Sequence, residues 1–365
     1  MGFESGSISL RMFYMDSALP SNYIARFAAQ AAPPLETLGR DSIQGWVTGR
    51  HLLDRRITED SAMVAGYLRL TLMKAERKIP EALLRAECVM EELAEMQARG
   101  GQGLKREARL EIRRSVMERL MPSMPPTLKG IPMVCDLNEK MVYAAALGDK
   151  QMDALVIAFK QATGVGLVPV TPEAAAWQRR KVQAADLGPT SFSPECEDEL
   201  VSANLGQDFL TWLWFFAEMR GGLLTTTGGE FGLMVGGPLV FVMEGDGAHE
   251  TVLRKGAPMV SAEAKTSLLS GKKLSRAMLT LARGEEMWTV TVDAQNFVFR
   301  GLKMPQGEPL DPASRFQERM VLLTLFRDAC LQWFDLFLAE RTDKARWKKT
   351  RAEMHAWVSG RDSRR

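Results

Sequence analysis

The chain has 365 residues, with 47 Lys/Arg against 45 Asp/Glu for a formal net charge of +2, and 46% hydrophobic residues. This composition suits a soluble globular protein large enough for two or three substructures, and it excludes a small histone-like protein that coats DNA by bulk charge. The longest apolar run, around residues 209–217, is too short to cross a bilayer, which takes about 20 residues.

Residues 7–15 alternate (Ile8, Leu10, Met12, Tyr14) as a strand does. Residues 20–32 read as a helix ended by Pro33-Pro34, Gly45-Trp46-Val47 as a short strand or turn, and residues 63–73 as a strand. Residues 79–121 then predict two helices of opposite charge joined by Gly100-Gly101-Gln102-Gly103. The first opens on Pro80, where a missing N–H costs nothing. It carries Glu81, Glu87, Glu91, Glu92 and Glu95, and its apolar stripe runs through Leu83, Ala86, Met90 and Leu93. The second carries Lys105, Arg106, Arg109, Arg113, Arg114 and Arg119. Lys105, Arg106, Arg109 and Arg113 fall within about a quarter turn, and Glu107, Glu111 and Glu118 lie on the other side.

Beyond the hairpin, strands are expected at 131–136 and 140–146, an amphipathic helix at 149–163 and a strand at 166–170. The order is mixed α+β with several antiparallel candidates. Residues 183–205 resemble a linker or loose surface segment. Residues 209–219 form a helix with aromatics on nearly every side, which means burial. The Gly- and Thr-rich stretch 221–241 matches neither GxGxxG nor a phosphate loop and reads as hairpin turns. Strands at 239–243, 250–254, 277–282, 287–292 and 297–302 surround a helix at 261–269 with Ser261 as its N-cap. Long helices at 311–340 and 343–358 close the chain. The last stretch, 341–365, holds nine Lys/Arg against three Asp/Glu, so the rest of the chain is slightly acidic.

Any nucleic-acid contact must therefore come from local patches. The basic face of 105–113 suits a polyanion, although the same side chains could instead pair with the glutamates of the preceding helix. A second constellation joins Arg254-Lys255, the turn Ser270-Gly271-Lys272-Lys273 and Arg276. Backbone N–H groups at a Gly turn beside lysines suit phosphate, and a solvated turn is the plainer alternative. Cys88, Cys135, Cys196 and Cys330 show no CxxC spacing, and His51, His249 and His355 stand apart. Free thiols in a reducing cytoplasm follow, with no metal site or cofactor implied. Residues 1–14 lack the basic-then-apolar pattern of a signal peptide. Neither GxSxG nor HExxH occurs. Glu263-Ala264-Lys265 resembles the end of a metal-dependent nuclease motif, with Asp246 or Glu244 as a second acid. That chemistry wants the pair on a strand, and the sequence around it reads as a capped helix.

Gly45-Trp46-Val47, the acidic-then-basic hairpin, the 149–163 helix leading to Gly166-Leu-Val-Pro-Val170, and Ser261-Ala-Glu-Ala-Lys-Thr-Ser-Leu-Leu-Ser-Gly-Lys-Lys273 occur in an order that resembles the RdgC family of bacterial recombination-associated proteins. The resemblance spans most of residues 1–340 and rests on order and spacing. It implies an α+β fold with mixed, largely antiparallel sheets, a protruding helical hairpin, and an elongated curved subunit that forms a ring dimer. It also implies a non-enzymatic, cytoplasmic, nucleoid-associated protein. Such a protein binds double- and single-stranded DNA with little sequence preference, pairs as a homodimer and restrains RecA-driven recombination, with no membrane association. In family terms Arg99, Lys105, Arg106, Arg109, Arg113, Arg254, Lys255, Lys272, Lys273 and Arg276 face the DNA, and Arg119, Met121 and Met124 lie near a subunit contact. No aromatic occurs in residues 118–124, where the family pattern leads one to expect it. The expected organisation is an N-terminal α+β region (1–182), a C-terminal α+β region (183–340) and a basic extension (341–365) whose loss leaves the fold intact. A metal-dependent nuclease and a scaffold for acidic protein partners are the alternatives.

Overall fold

The computed structural model describes residues 2–39, 41–243, 250–307 and 311–360. The chain opens with β1 (Ile8–Met15), α1 (Tyr23–Ala29), β2 (Ile43–Thr48), the single turn α2 (Glu59–Ala62) and the short β3 (Met63–Val64). The one strand expected over 63–73 is a tight hairpin: Ala65 and Gly66 take φ of 48° and 84° and fold β3 back onto β4 (Tyr67–Arg77). Next come α3 (Glu81–Ala98), α4 (Arg106–Leu120), β5 (Pro126–Asp136), β6 (Met141–Ala144), α5 (Asp149–Thr163) and β7 (Leu167–Pro169). α6 (Pro172–Arg180), a helix not foreseen, starts where the Thr171 side chain accepts from the Ala174 N–H at 3.2 Å, with Pro172 in the first turn.

The remainder runs α7 (Leu205–Met219), β8 (Leu223–Thr226), β9 (Gly229–Val242), β10 (Glu250–Leu253), α8 (Ala262–Leu269), β11 (Lys273–Arg283), β12 (Glu286–Asp293), β13 (Val298–Lys303), α9 (Pro312–Thr342) and α10 (Lys344–Gly360). The described strands form one sheet in the order β10-β9-β11-β12-β13-β1-β6-β5-β4-β2, with β3, β7 and β8 beside β4, β1 and β9. Its strand pairings are antiparallel. The fold is thus the α+β, largely antiparallel class that the sequence suggests. β1 is the hinge of this topology: Leu10 faces Phe299 of β13 on one side, and Met12 faces Tyr143 of β6 on the other.

Alternation along each strand sends side chains to two separate cores. Leu10, Met12 and Tyr143 join Trp212, Trp288, Phe326 and Phe334 under α7 and α9. Phe13, Leu70 and Val142 point the other way and pack under α1 and α5, where Phe27 meets Trp46 edge-on at 5.0 Å and Phe159 at 5.8 Å. α1 and α5 cover only the β1–β2 half of that second face. On β9 and β12, Met234 and Met287 stand exposed on it.

Two expectations are corrected here. Thr190, Ser191, Phe192 and Ser193 are buried, so this part of 183–205 is no loose surface segment. Its backbone is held from outside, with the Arg341 guanidinium donating to the carbonyls of Leu187 and Gly188 at 2.7 and 2.9 Å. Nor is the C-terminal stretch an appendage. Trp347, Met354, Trp357 and Val358 of α10 are buried in the main core. Trp357 crosses Trp214 at 5.2 Å and donates its indole N–H to Glu218 at 2.9 Å, while Arg220 bridges Glu340 of α9 and Glu353 of α10. A chain ending before α10 would expose these aromatic faces to water.

Candidate nucleic-acid interface

α3 and α4 lie against each other as an antiparallel hairpin sealed by Leu84, Cys88 and Val116, with Ile79, Ile112 and Leu120 around them. Gly100 and Gly101, with φ of 68° and 84°, make the reversal that a side chain would strain. The basic face expected on α4 divides. Arg113 lies 3.6 Å from Glu81, Arg109 3.5 Å from Glu92, and Arg119 contacts Glu87 at 2.9 Å and Glu91 at 3.1 Å. Arg99 holds Glu95 at 2.7 Å within α3. For these residues the intra-hairpin pairing is real, although the pairs are half-exposed and each is worth little. Donating a hydrogen bond to Glu87 raises the pKa of Arg119, which here serves the hairpin itself rather than a free surface.

Lys105 and Arg106 differ. Among the described residues neither has a side-chain ion pair, and both stand exposed at the N-terminus of α4, directly after the glycine linker. The positive end of a helix macrodipole disfavours cations by about 0.3–1 kcal/mol each, so the fold gains nothing from placing them there. Two cations and the free N–H groups of a helix start form an electropositive tip suited to phosphate.

The second constellation also divides. Arg254 and Lys255 follow β10, are exposed, and have no ion-pair partner among the described residues. Lys272 donates to the Thr251 hydroxyl at 2.8 Å and remains partly exposed. Arg276 pairs with Asp293 at 3.0 Å on the open face of the sheet. Lys273 is a correction. Its side chain is 2% exposed, and its ammonium lies 2.6 Å from Asp208 of α7, donates to the Ser202 carbonyl at 2.8 Å and sits over the Phe192 ring. It cannot reach a ligand, because the start of β11 turns this side chain under α7. Burial pushes the Asp208 carboxyl up from its ordinary range, against the opposing pull of Lys273. Met121 and Met124 lie at the hairpin root, where the Arg77 guanidinium holds the Met124 carbonyl. Leu110, Met117 and Met121 line a shallow hollow there with Arg113 and Arg114.

Several cations escaped sequence reading. On the open sheet face Arg300 is opposite Thr291, and Lys303 is opposite Thr289. The alternation of Phe297 and Phe299 inward could have placed Arg300 outward. At the hairpin root Lys74, Lys78 and Lys129 all contact Glu76, at 3.3, 2.9 and 3.0 Å, and their hydrogen bonds, Lys78 first, hold its carboxyl down at about 2. This cross-strand cluster depends on pairing Lys74 with Lys129, a register that no local pattern gives.

The nuclease motif is not assembled in the required form. Glu263 and Lys265 lie on helix α8, capped by Ser261 accepting from the Ala264 N–H at 3.1 Å. Asp246, Glu244 and His249 lie outside the described residues. Among the described residues no group of three or more His, Cys, Asp or Glu could hold a metal ion, and no helix is long and apolar enough to cross a membrane.

Two comparisons with known proteins bear on the chain. The family model described as "RdgC: Putative exonuclease, RdgC" matches residues 21–199. No curated protein matches the chain.

Proposed function

The chain belongs to the RdgC family, and from that premise we propose that it binds DNA without sequence preference. It does so as a homodimer that encloses the duplex and modulates RecA-dependent recombination, with no turnover. The observation that carries this reading is the pair Lys105 and Arg106. They are unpaired among the described residues and are held at a helix N-terminus where the fold itself disfavours them. Arg254 and Lys255 supply a second exposed pair, and Arg300 and Lys303 add cations on the open sheet face. Phosphate neutralisation and counterion release give the affinity, and enclosure slows dissociation. Localisation at the nucleoid follows from such binding.

The family description favours a second reading, an exonuclease. One experiment separates the two. Labelled duplexes of unrelated sequence are titrated by anisotropy, then incubated with magnesium and run on a denaturing gel. DNA-binding without turnover requires similar affinities for every duplex and intact strands. Magnesium-dependent shortening would establish the nuclease, and the absence of any binding would defeat both.

A further inference from the structure

A cavity of about 230 Å³ opens where the N-terminal loop, the turn after β2, β4 and β5 meet. Phe3, Leu52, Leu70 and Pro132 give it walls that are mostly apolar. Two glycines make room for the side chains that line it. A Cβ on Gly130 would stand 2.5 Å from Leu52 Cδ2 and 2.8 Å from Thr71 Cγ2, and one on Gly49 would stand 2.6 Å from both Cγ and Nε of Arg69. Neither glycine has a positive φ, so space rather than backbone conformation calls for them.

Arg69 is the buried charge in this wall. Its side chain is 11% exposed and lies over the Phe316 ring of α9, 5.6 Å from the centroid. Nη1 donates to Glu4, whose own side chain is 44% exposed. Nε is buried and has no acceptor among the described residues. A buried N–H without a partner is costly, and native proteins rarely leave one. Nε and Nη2 form the side edge of the guanidinium, the edge that a planar carboxylate meets with two parallel hydrogen bonds.

The neighbouring polar groups offer the same kind of bond. His51 Nδ1 accepts from the Leu53 N–H at 3.2 Å, so the ring proton is on Nε2, a donor. Arg50 gives one N–H to the Asp60 carbonyl at 3.2 Å and keeps its charge. Among the lining residues the one acid is Glu4, already bound to Arg69. Donors beside apolar walls define the ligand: an anionic, acceptor-only head on an apolar body. The volume lies below the roughly 300–1,000 Å³ of a drug-sized site, so the body is small.

We propose that this cavity binds a small monocarboxylate with an apolar body, of the class of the arylalkanoates. The carboxylate sits on the Nε edge of Arg69, and the body packs against Phe3, Leu52, Leu70 and Pro132. This site does not rest on DNA binding.

The test is calorimetric titration of the full chain with three probes: phenylpropionate, phenylpropanol (the same body without the charge) and acetate (the charge without the body). Phenylpropionate should saturate one site per chain. Each of the others should bind at least about tenfold more weakly, the loss expected when a charge-assisted hydrogen bond or its apolar anchor is missing. Arg69→Met keeps an apolar stem near Phe316 and removes the donors. With an unchanged far-ultraviolet spectrum, it should bind phenylpropionate at least about tenfold more weakly. Gly49→Ala, whose Cβ displaces the guanidinium and leaves its charge, should weaken binding too. Absence of saturable phenylpropionate binding overturns the proposal. So does equal affinity for phenylpropanol or acetate, or wild-type affinity in a folded Arg69→Met chain. The three probes are compared on the unaltered chain, so they decide the proposal even where Arg69→Met fails to fold.

Discussion

Replacing Lys273 with Met separates a structural lysine from a DNA-contacting one. The Lys273 and Asp208 side chains are 2% and 3% exposed, with ammonium and carboxylate 2.6 Å apart. Removing one partner leaves the other buried and uncompensated, which costs about 3–5 kcal/mol, against a total stability of about 5–15 kcal/mol for a typical protein. The loss should depend on pH. Burial already raises the Asp208 pKa above its unfolded value, and without the ammonium that rise is unopposed. An acid whose folded pKa is raised costs nothing while protonated in both states. The deficit therefore opens as pH climbs past the unfolded value, about 4, and is fully present above the folded one. Urea unfolding followed by tryptophan fluorescence should show the midpoint of Lys273→Met falling well below wild type at pH 7 and less so at pH 5. Lys272→Gln, one residue away, should stay within about 0.5 kcal/mol. Lys273→Met with Asp208→Leu should recover most of the loss, since an apolar pair of similar volume often replaces a buried ion pair without penalty. A Lys273→Met protein with wild-type stability and reduced DNA affinity would refute the reasoning.

Other consequences follow from the same geometry. Trp357→Ala should cost about 3–5 kcal/mol in urea unfolding, and deleting 344–365 should leave a chain without cooperative unfolding; a stable truncated protein would return α10 to the status of an appendage. Arg109→Gln and Arg113→Gln should each cost no more than about 1 kcal/mol. Lys105→Gln with Arg106→Gln should leave the melting temperature unchanged or slightly higher while DNA affinity falls. Carboxyl NMR should find Glu76 ionised down to about pH 2. A folded pKa below the unfolded 4.5 means that its contribution to stability is complete above 4.5 and lost as pH falls toward 2; an ordinary titration near 4.5 would show that the three lysines do not hold it.

Local signals were legible wherever one segment determines its own state. α5 spans 149–163 as its periodicity requires, ended by Gly164 at φ 81°. α8 begins at its serine cap, β12 and β13 fall within one residue of where their alternation places them, and β11 starts four residues early, at Lys273. What stayed hidden depends on partners far away in sequence. α3 has two apolar stripes, and periodicity alone cannot say which one packs: Leu84 and Cys88 meet Val116 of α4, while Met90 and Leu93 stand exposed. Lys273 reads as a turn lysine until Asp208, on another element, is brought beneath it. The basic stretch after 341 looks like a solvated tail because Arg and Lys outnumber the four side chains, Trp347, Met354, Trp357 and Val358, that anchor it. The site was half legible for the same reason: sequence found Lys105, Arg106, Arg254 and Lys255 but not Arg300 and Lys303, and only the fold shows which cations are already engaged.

The central claim is that phosphate contacts made by the two exposed basic pairs carry the binding. The direct test is the slope of log K against log salt for a random-sequence duplex, compared between wild type and a variant with Lys105→Gln, Arg106→Gln, Arg254→Gln and Lys255→Gln. Each lost phosphate contact removes about 0.9 from the slope, so four should make it shallower by about 3–4. The same protein should show unchanged unfolding. A variant that keeps the wild-type slope and affinity would contradict the account.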